Sequence, residues 1–329
     1  MEDKTVIKRE YDIAIVGGGP AGLTAALYAG RNKMHSVIFE PKAPGGQLLN
    51  TELVEDYPGF KSILGADLAL AMAEQATLFG TEMLPAGVER IRVLDDGMKL
   101  IETDHGDFYA PAVILTAGGN PRKLGVPGED EYAGRGVSYC AVCDGAFFQN
   151  VHLAVIGGGD AALEEAQFLT RYASNVTIIH RRWEFRAQPI LVEHARRNPK
   201  IDFLFDTVVE AVEGDSTVQS LRLRNLVTQK DAVLEVGGVF IFVGFIPNTG
   251  LVEGHVEHDK AGYYITDPMT MMTSVHGIFA AGDVRSQLTR QITTAVGDAT
   301  TATIAATKWV EEWRRGRDDA SGDLLRGVV

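Results

Sequence analysis

The sequence predicts an α/β fold built around two βαβ units. Two observations carry this prediction: a stretch of about thirty residues occurs twice, and each copy has a glycine triplet between a short apolar run and a helical pattern. The first copy, DIAIVGGGPAGLTAALYAGRNKMHSVIFEP, starts at Asp12, and the second, HLAVIGGGDAALEEAQFLTRYASNVTIIHR, starts at His152. Each copy also ends in a second apolar run. The order strand, turn, helix, strand is that of a βαβ unit.

The four apolar runs have the length and β-branching of buried parallel strands. They predict strands over 13–16 and 36–39 in the first copy, and over 153–156 and 176–179 in the second. A further short apolar run, 278–281, ends in Gly282 and Asp283 and precedes a helical stretch rich in small residues.

The glycines of each copy follow the pattern GxGxxG or a close variant. The first position allows a tight turn, the second lets a pyrophosphate approach the backbone, and the third lets the helix pack close to the strand. These positions are Gly17, Gly19 and Gly22 in the first copy, and Gly157, Gly159 and Ala162 in the second. The helix that follows directs free N–H groups towards the phosphates. Two such patterns in the right context predict two dinucleotide-binding sites.

The residue that ends each second strand distinguishes the two sites. Glu40 ends the first, and a carboxylate there accepts hydrogen bonds from an adenosine ribose. His180 ends the second and is followed by three arginines in HRRWEFR, namely Arg181, Arg182 and Arg186. Guanidinium groups bind a 2′-phosphate in bidentate fashion. The first site therefore suits FAD or NAD, and the second suits NADPH.

Cys140 and Cys143 form a CxxC motif and are the two cysteines of the chain. A zinc site would need further ligands, for which His255 and His258 are the best candidates, and we predict no metal. A disulfide over so short a loop would restrict the unfolded chain very little. Two inert buried thiols remain an alternative, but the spacing favours reversible thiol–disulfide chemistry.

Composition narrows the class of protein. A length of 329 residues suggests about two domains. The formal net charge of −13 argues against nucleic acid as a partner. The sequence has no apolar run long enough for a membrane helix and no signal-peptide pattern at its start, so we expect a cytoplasmic protein that does not associate with membranes.

Six motifs occur in an order and spacing that resemble one family. They are GGGPAG, PGGQL, CAVCDG, GGGDAALEEA, HRRWEFRA and GIFAAGDV followed by RQ. From about Tyr11 to about Trp313 the chain resembles the low-molecular-weight thioredoxin reductases. The resemblance implies two Rossmann-like domains of the three-layer ββα type, with the second inserted into the first. An FAD domain would span 1–122 and 247–329, and an NADPH domain carrying the CxxC motif would span 123–246.

The resemblance also implies the reaction and its partners. NADPH would reduce FAD, the reduced flavin would open the Cys140–Cys143 disulfide, and the dithiol would reduce thioredoxin. Cys143 would face the flavin, Cys140 would attack thioredoxin, and Asp144 would act as general acid. A homodimer is implied as well.

Further site residues follow from the matching motifs. Those expected to hold FAD are Gly17, Gly19, Pro20, Ala21, Gly22, Glu40, Gly45, Gly46, Gln47, Leu48, Asp56, Ala117, Gly118, Gly282, Asp283, Arg290, Gln291 and Ile292. Those expected to hold NADPH are Gly157, Gly159, Asp160, Ala161, Glu164, His180, Arg181, Arg182 and Arg186. Arg135, Phe147 and Phe148 resemble positions that contact thioredoxin, although a buried Phe pair is an equal alternative.

Some residues depart from the family pattern. Trp183 and Glu184 stand between the phosphate-binding arginines, and Asp298 replaces a small neutral residue beside the start of the last helix. We expect the added negative charge to weaken cofactor binding or to shift the flavin potential.

Four other functions remain open. The partner could be another thioredoxin-like protein or a peroxiredoxin system. The electron donor could be ferredoxin or another flavin, but such an enzyme would be expected to lack the arginine cluster. The chain could be a dithiol oxidase, which also tends to lack that cluster. A flavin-binding module without enzymatic activity would have no use for the CxxC motif.

Overall fold

The computed structural model describes residues 9–326 apart from Glu52, Glu253 and His255, and it describes side chains as far as residue 316. His255, one of the two histidines considered for zinc, lies outside the described residues. In the part of the chain that is described, no group of three or more potential metal-ligating side chains occurs. Nor does that part contain a helix long and apolar enough to cross a membrane.

The chain forms two structural units. The first takes the described residues up to Leu49, then Leu53–Gly119, and those from Pro247 onward. The second takes the described residues of 50–52 together with Asn120–Ile246. The chain thus leaves the first unit, builds the second and returns. The predicted insertion of one unit into the other is confirmed.

Both units are built from short strands and a few helices. Up to residue 121 the strands are β1 (Arg9–Glu10), β2 (Ile13–Val16), β3 (Ser36–Phe39), β4 (Leu53–Val54), β5 (Ile63–Leu64), β6 (Glu82–Leu84), β7 (Val88–Val93), β8 (Lys99–Thr103), β9 (Gly106–Ala110), β10 (Ala112–Leu115) and β11 (Gly119–Pro121). The later strands are β12 (Val137–Ser138), β13 (His152–Gly157), β14 (Asn175–Ile179), β15 (Ile201–Leu204), β16 (Thr207–Gly214), β17 (Val218–Asn225), β18 (Asp231–Glu235), β19 (Gly238–Phe242), β20 (Phe245–Pro247) and β21 (Ile278–Ala280). The α-helices are α1 (Pro20–Arg31), α2 (Gly65–Thr77), α3 (Ala141–Asp144), α4 (Asp160–Leu169), α5 (Pro189–Arg197) and α6 (Ile292–Arg326), and 3₁₀ turns cover Gly46–Asn50, Gly145–Phe147 and Gly282–Val284.

The first unit has three layers. Its central parallel sheet has the strand order β21-β10-β2-β3-β6. Ile13 and Ile15 of β2 face a core shared with α1, α2 and α6. Ala14 and Val16 face a second core shared with the sheet β1-β9-β8-β7. Because alternate residues of a strand point to opposite faces, the continuous apolar run of β2 is buried on both sides.

The second unit repeats this arrangement. Its parallel sheet has the order β12-β19-β13-β14-β15. Leu153 and Val155 of β13 pack with α4, whereas Ala154 and Ile156 pack against the antiparallel sheet β16-β17-β18. The α/β fold with two ββα Rossmann-like units is therefore confirmed, and all the predicted strands are present with small shifts at their ends.

Candidate functional site

The first glycine loop lies between β2 and α1. Gly17 has a φ of +105°, and a Cβ there would lie 2.7 Å from the Thr116 carbonyl oxygen. A Cβ on Gly22 would lie 1.8 Å from the Gly17 oxygen. The tight turn and the close helix packing therefore both require glycine.

Two other segments meet this loop. The Gly45 N–H donates to the Gly18 oxygen at 2.8 Å, and a Cβ on Gly46 would lie 3.0 Å from the Gly19 Cα. Glu40 Oε2 accepts a hydrogen bond from the Gly18 N–H at 2.7 Å. The end of β3 and the loop after it thus fix the backbone of the glycine loop.

The segment after β21 also reaches the loop. Gly282 has a φ of +75°, a backbone conformation that favours glycine, and a Cβ there would lie 3.0 Å from the Ala21 Cβ. Burial raises the pKa of Asp283, while the Arg290 guanidinium acts in the opposite direction and Asp298 raises it further.

The remaining residues expected to hold FAD differ in their location and in their exposure. Pro20 and Ala21 begin α1, Ala117 lies next to Gly17, and Leu48 is part of the core below α2. Gln47 is exposed, and Asp56 lies in an exposed bend after β4. Gly118 and Gln291–Ile292 are half-buried.

The first site fits the phosphates of a dinucleotide. Gly19 is the N-cap of α1 and has no side chain to bond the N–H groups of the first turn. A Cβ on Gly19 would have its nearest neighbour 4.0 Å away, at the Gly46 Cα. Unbonded N–H groups with open space in front of them are what an anion needs at a helix N-terminus.

The second glycine loop shows the same features. A Cβ on Gly157 would lie 2.4 Å from the Phe242 oxygen, whereas one on Gly159 would meet no described heavy atom within 4 Å. Gly159 is also an N-cap without a side-chain hydrogen bond, here for α4. The first glycine serves the turn, and the second leaves room for phosphate.

The arginine segment after β14 lines a cavity of about 370 Å³. Arg181, Arg182 and Arg186 are exposed, and none forms an ion pair with another described residue. The cavity is lined by Arg181, Arg182, Trp183, Glu184, Phe185, Arg186 and Asp206. Three guanidinium groups without carboxylate partners at a nucleotide loop fit a bound phosphate.

His180 lies beneath the second glycine loop. Its side chain is 5% exposed, and a Cβ on Gly158 would lie 2.3 Å from the imidazole Cε1. Its Nε2 lies 3.1 Å from the Glu184 carbonyl oxygen. Burial lowers the pKa of His180, and the neighbouring arginines add to this effect. In this position the neutral ring supports the loop, and direct contact with the nucleotide stays a prediction.

Backbone hydrogen bonds fix the arginine segment on both sides. The Arg186 N–H donates to the Gly158 oxygen at 2.8 Å, and the Asp206 N–H donates to the Arg182 oxygen at 3.3 Å. At the start of α4, Asp160 accepts hydrogen bonds from the Gln188 backbone N–H at 2.7 Å and from its side-chain amide at 3.1 Å. Ala161 and Glu164 lie exposed on α4.

Cys140 and Cys143 are joined by a disulfide. Cys140 is the N-cap of the short helix α3, and its Sγ accepts a hydrogen bond from the Cys143 N–H at 3.1 Å. Cys140 is half-buried and Cys143 is exposed. The helical turn holds the two sulfurs together, as a reversible redox pair requires.

Ser138 is a site residue that the sequence analysis missed. Its buried hydroxyl lies 2.6 Å from Asp144 Oδ2 and accepts the Cys140 N–H at 3.1 Å. It therefore connects the predicted general acid to the backbone of the cysteine pair. A serine two residues before a cysteine gives no signal of this role, because the contact arises only when α3 turns Asp144 back towards β12.

The Phe pair divides between core and surface. Phe148 packs edge-on against Phe240 with ring centroids 5.4 Å apart. Phe147 is 81% exposed. The Arg135 guanidinium is exposed and lies 5.7 Å from the Tyr132 ring centroid. Phe147 and Arg135 are therefore available to a partner, while Phe148 contributes mainly to the core.

Asp298 lies beside a cation that the sequence analysis did not anticipate, and its effect on cofactor binding stays a prediction. Its Oδ2 lies 3.1 Å from Arg285 Nε and 3.3 Å from the Gly282 backbone nitrogen, which donates to it. Burial raises the pKa of Asp298, and Arg285 opposes the shift. The cation next to Asp298 offsets its charge beside the first site.

These features define a flavin- and nucleotide-dependent disulfide oxidoreductase, and the chain belongs to the pyridine nucleotide-disulphide oxidoreductase family, whose model matches residues 11–299. Membership implies the use of a pyridine nucleotide and a flavin. The chain is 46% identical over 303 residues to the thioredoxin reductase of Listeria innocua, covering 92% of this chain and 94% of that protein. It is 45% identical to the thioredoxin reductase of Mycolicibacterium smegmatis, covering 92% of this chain and 97% of that protein.

A solved structure agrees with these relatives. The crystal structure of Lactococcus lactis thioredoxin reductase is similar with a TM-score of 0.90 and 46% identity, covering 92% of this chain and 99% of that one. The resemblance to thioredoxin reductases inferred from the motifs is confirmed.

Proposed function

We propose that this chain is an NADPH-dependent thioredoxin-disulfide reductase. One observation carries the proposal: a single structural unit holds both the Cys140–Cys143 disulfide and a glycine loop flanked by three exposed arginines. A carboxylate at the arginine position would repel a 2′-phosphate, whereas guanidinium groups bind one. The names of the relatives agree with this reaction.

Each cofactor has a set of residues that would hold it. Gly17, Gly19 and Gly22, with Glu40 and Asp283, would hold FAD at the first loop, and Gly157, Gly159 and the arginines would hold NADPH at the second. When bound, FAD would supply the two-electron chemistry that links oxidation of NADPH to reduction of a disulfide.

The reduced cysteine pair would carry out thiol–disulfide exchange. The Cys140 thiolate attacks one sulfur of the thioredoxin disulfide, and the other thioredoxin sulfur leaves as a thiolate, which Asp144 protonates. The Cys143 thiolate then attacks Cys140 Sγ, which restores the Cys140–Cys143 disulfide and releases the second thioredoxin sulfur as a thiolate that takes a proton from solvent. Two electrons pass from the pair to thioredoxin, which leaves as a dithiol.

The partner surface belongs to the same proposal. Phe147 and Arg135 would contact thioredoxin, because both are exposed in the unit that carries the cysteines. We also propose a homodimer and a cytoplasmic location, in agreement with the family analogy.

The test is NADPH oxidation with oxidised thioredoxin under nitrogen. Cys140→Ser and Cys143→Ser should each abolish thioredoxin reduction. Replacing Arg181 and Arg182 together by Ala should raise the KM for NADPH by about 100-fold or more and leave NADH use nearly unchanged, since each charged hydrogen bond contributes about 1.5–3 kcal/mol. Equal losses with both nucleotides would contradict the phosphate assignment. Thiol oxidation with oxygen and no thioredoxin reduction would favour the dithiol oxidase.

A further inference from the structure

Trp183 is exposed at the second nucleotide site. Its side chain is 73% exposed, and it lines the same cavity as Arg181, Arg182 and Arg186. The aromatic neighbour Phe185 turns inward instead, with its ring centroid 5.5 Å from that of His180 and 4.9 Å from that of Phe205. Among the described residues the indole of Trp183 therefore has no aromatic partner, and it contributes little to the core.

We propose that Trp183 is a stacking surface for the adenine base of the bound dinucleotide, an inference that rests on the NADPH site proposed above. The arginines would fix the 2′-phosphate, which is carried by the adenosine ribose. The adenine is attached to that same ribose, so it must lie within a few ångströms of the arginine segment. The one exposed aromatic ring among the cavity-lining residues is that of Trp183.

The chemistry of the cavity suits this ligand. An indole face gives a large contact area to a flat base, and it needs no matching hydrogen bonds to do so. The three arginines supply the charge for the phosphate but no apolar surface of comparable size. Trp183 would thus add affinity for the base to the charge selectivity of the arginines.

The segment that carries Trp183 is fixed before any ligand binds. The Arg182 carbonyl accepts a backbone hydrogen bond from Asp206, the Glu184 carbonyl lies 3.1 Å from His180 Nε2, and Arg186 bonds to the glycine loop. Residues on both sides of Trp183 are therefore tied to neighbouring elements. Because the backbone is already fixed, only the side-chain torsions of Trp183 remain to be ordered when a base stacks on the ring, which favours binding.

The test uses the FAD-loaded protein and 2′,5′-ADP, an adenine nucleotide that carries the 2′-phosphate and cannot donate electrons. By calorimetry, Trp183→Ala should weaken 2′,5′-ADP binding about tenfold, because stacking on a base contributes on that order. Trp183→Phe should stay within about threefold of the wild type, because the ring is retained. Val227→Ala is the matched control, since Val227 is a 72% exposed apolar residue of the same unit outside the cavity.

A second readout is tryptophan emission. Addition of 2′,5′-ADP should quench the wild-type emission, and the quenching should disappear in Trp183→Phe although the nucleotide still binds. The KM for thioredoxin should be the same in wild type and Trp183→Ala. A raised KM for thioredoxin with unchanged nucleotide affinity would mean that the exposed ring serves a protein partner, and it would overturn the proposal.

The outcomes of the binding experiment distinguish the stacking role of Trp183 from the NADPH assignment. If the wild type prefers 2′,5′-ADP over 5′-AMP, which lacks only the 2′-phosphate, and Trp183→Ala binds both as tightly as the wild type, the stacking role is wrong while the phosphate site stands. If Trp183→Ala weakens both nucleotides equally but the wild type shows no preference between them, the stacking role stands and the phosphate assignment is wrong. If the wild type binds neither nucleotide, both are wrong.

Discussion

The ammonium group of Lys99 and the indole N–H of Trp309 donate hydrogen bonds to the same acceptor, the carbonyl oxygen of Pro111, at 2.9 and 3.2 Å. Lys99 is 1% exposed, its ammonium lies 5.6 Å from the Trp309 ring centroid, and it also donates to the Gly97 oxygen. This contact joins β8 to α6 inside the first unit. Burial lowers the pKa of Lys99 to about 8, with Asp96 opposing the shift.

The buried lysine predicts a pH dependence of stability. Between pH 8 and 10.5 the unfolded chain binds the lysine proton more tightly than the folded chain, so the free energy of unfolding should rise with pH in this window. Below pH 8 both states are protonated and the full penalty of burying the charge is present. The pKa shift of Lys99 corresponds to a change of about 3 kcal/mol in the free energy of unfolding. Urea unfolding of wild type and Lys99→Met from pH 7 to pH 10.5 measures this change. If the free energy of unfolding varies with pH in the same way for both proteins, the prediction is wrong.

The Arg285–Asp298 ion pair predicts that the loss of stability caused by removing Arg285 is recovered when Asp298 is removed as well. Arg285→Met should destabilise the protein by about 2–4 kcal/mol, because it leaves a buried carboxylate without its cation. Asp298→Thr in the same protein should recover most of the loss. Thermal unfolding and FAD content of the two single variants and the double variant give the coupling free energy. Simple additivity of the two changes would show that the pair is not an energetic unit.

Ser138 predicts a positioning effect on the exchange chemistry. Ser138→Ala should lower kcat for thioredoxin about tenfold, which is less than the ~100-fold or greater loss expected when an acid–base group is removed outright. The rate of flavin reduction by NADPH should be unchanged, because that step does not use Asp144. Ser138→Thr keeps the hydroxyl and should behave as wild type. Equal losses in flavin reduction and in thioredoxin reduction would indicate a purely structural role.

Asp160 predicts a gain in nucleotide affinity. It is the first residue of α4, where the phosphates would bind, and its carboxylate is negatively charged like the phosphates. Asp160→Asn keeps an acceptor for the Gln188 N–H and should tighten NADP⁺ binding about two- to fivefold, as expected for removal of one partly screened charge. Asp231→Asn removes a charge from an exposed strand of the same unit and is the control. Calorimetry at low and high salt should show the gain shrinking as salt rises.

The periodic and glycine-rich parts of the sequence predicted most of the fold. The strands 13–16 and 36–39 match β2 and β3, because a short β-branched run beside a glycine turn has few other stable conformations. The position of each glycine loop between a strand and a helix was predicted for the same reason.

Contacts between distant residues could not be predicted in this way. Asp298 was expected to repel anionic groups, but α6 places it beside Arg285, thirteen positions earlier in the chain. His180 was assigned to the nucleotide from its place at the end of a strand, whereas its orientation depends on the packing of Phe185 and Gly158. Such outcomes depend on tertiary geometry that no local pattern encodes.

The close fit of the His180 ring against Gly158 constrains the order in which these two residues can be substituted. A Cβ at residue 158 would lie between 2.3 and 2.7 Å from three atoms of the imidazole, so any larger residue there displaces the ring. Replacing His180 by a smaller residue first would open that space, and position 158 could then tolerate alanine. The reverse order passes through a damaged intermediate. The substitution of His180 must therefore come before that of Gly158 in evolution. A laboratory library that varies position 158 alone would wrongly report that glycine is indispensable there.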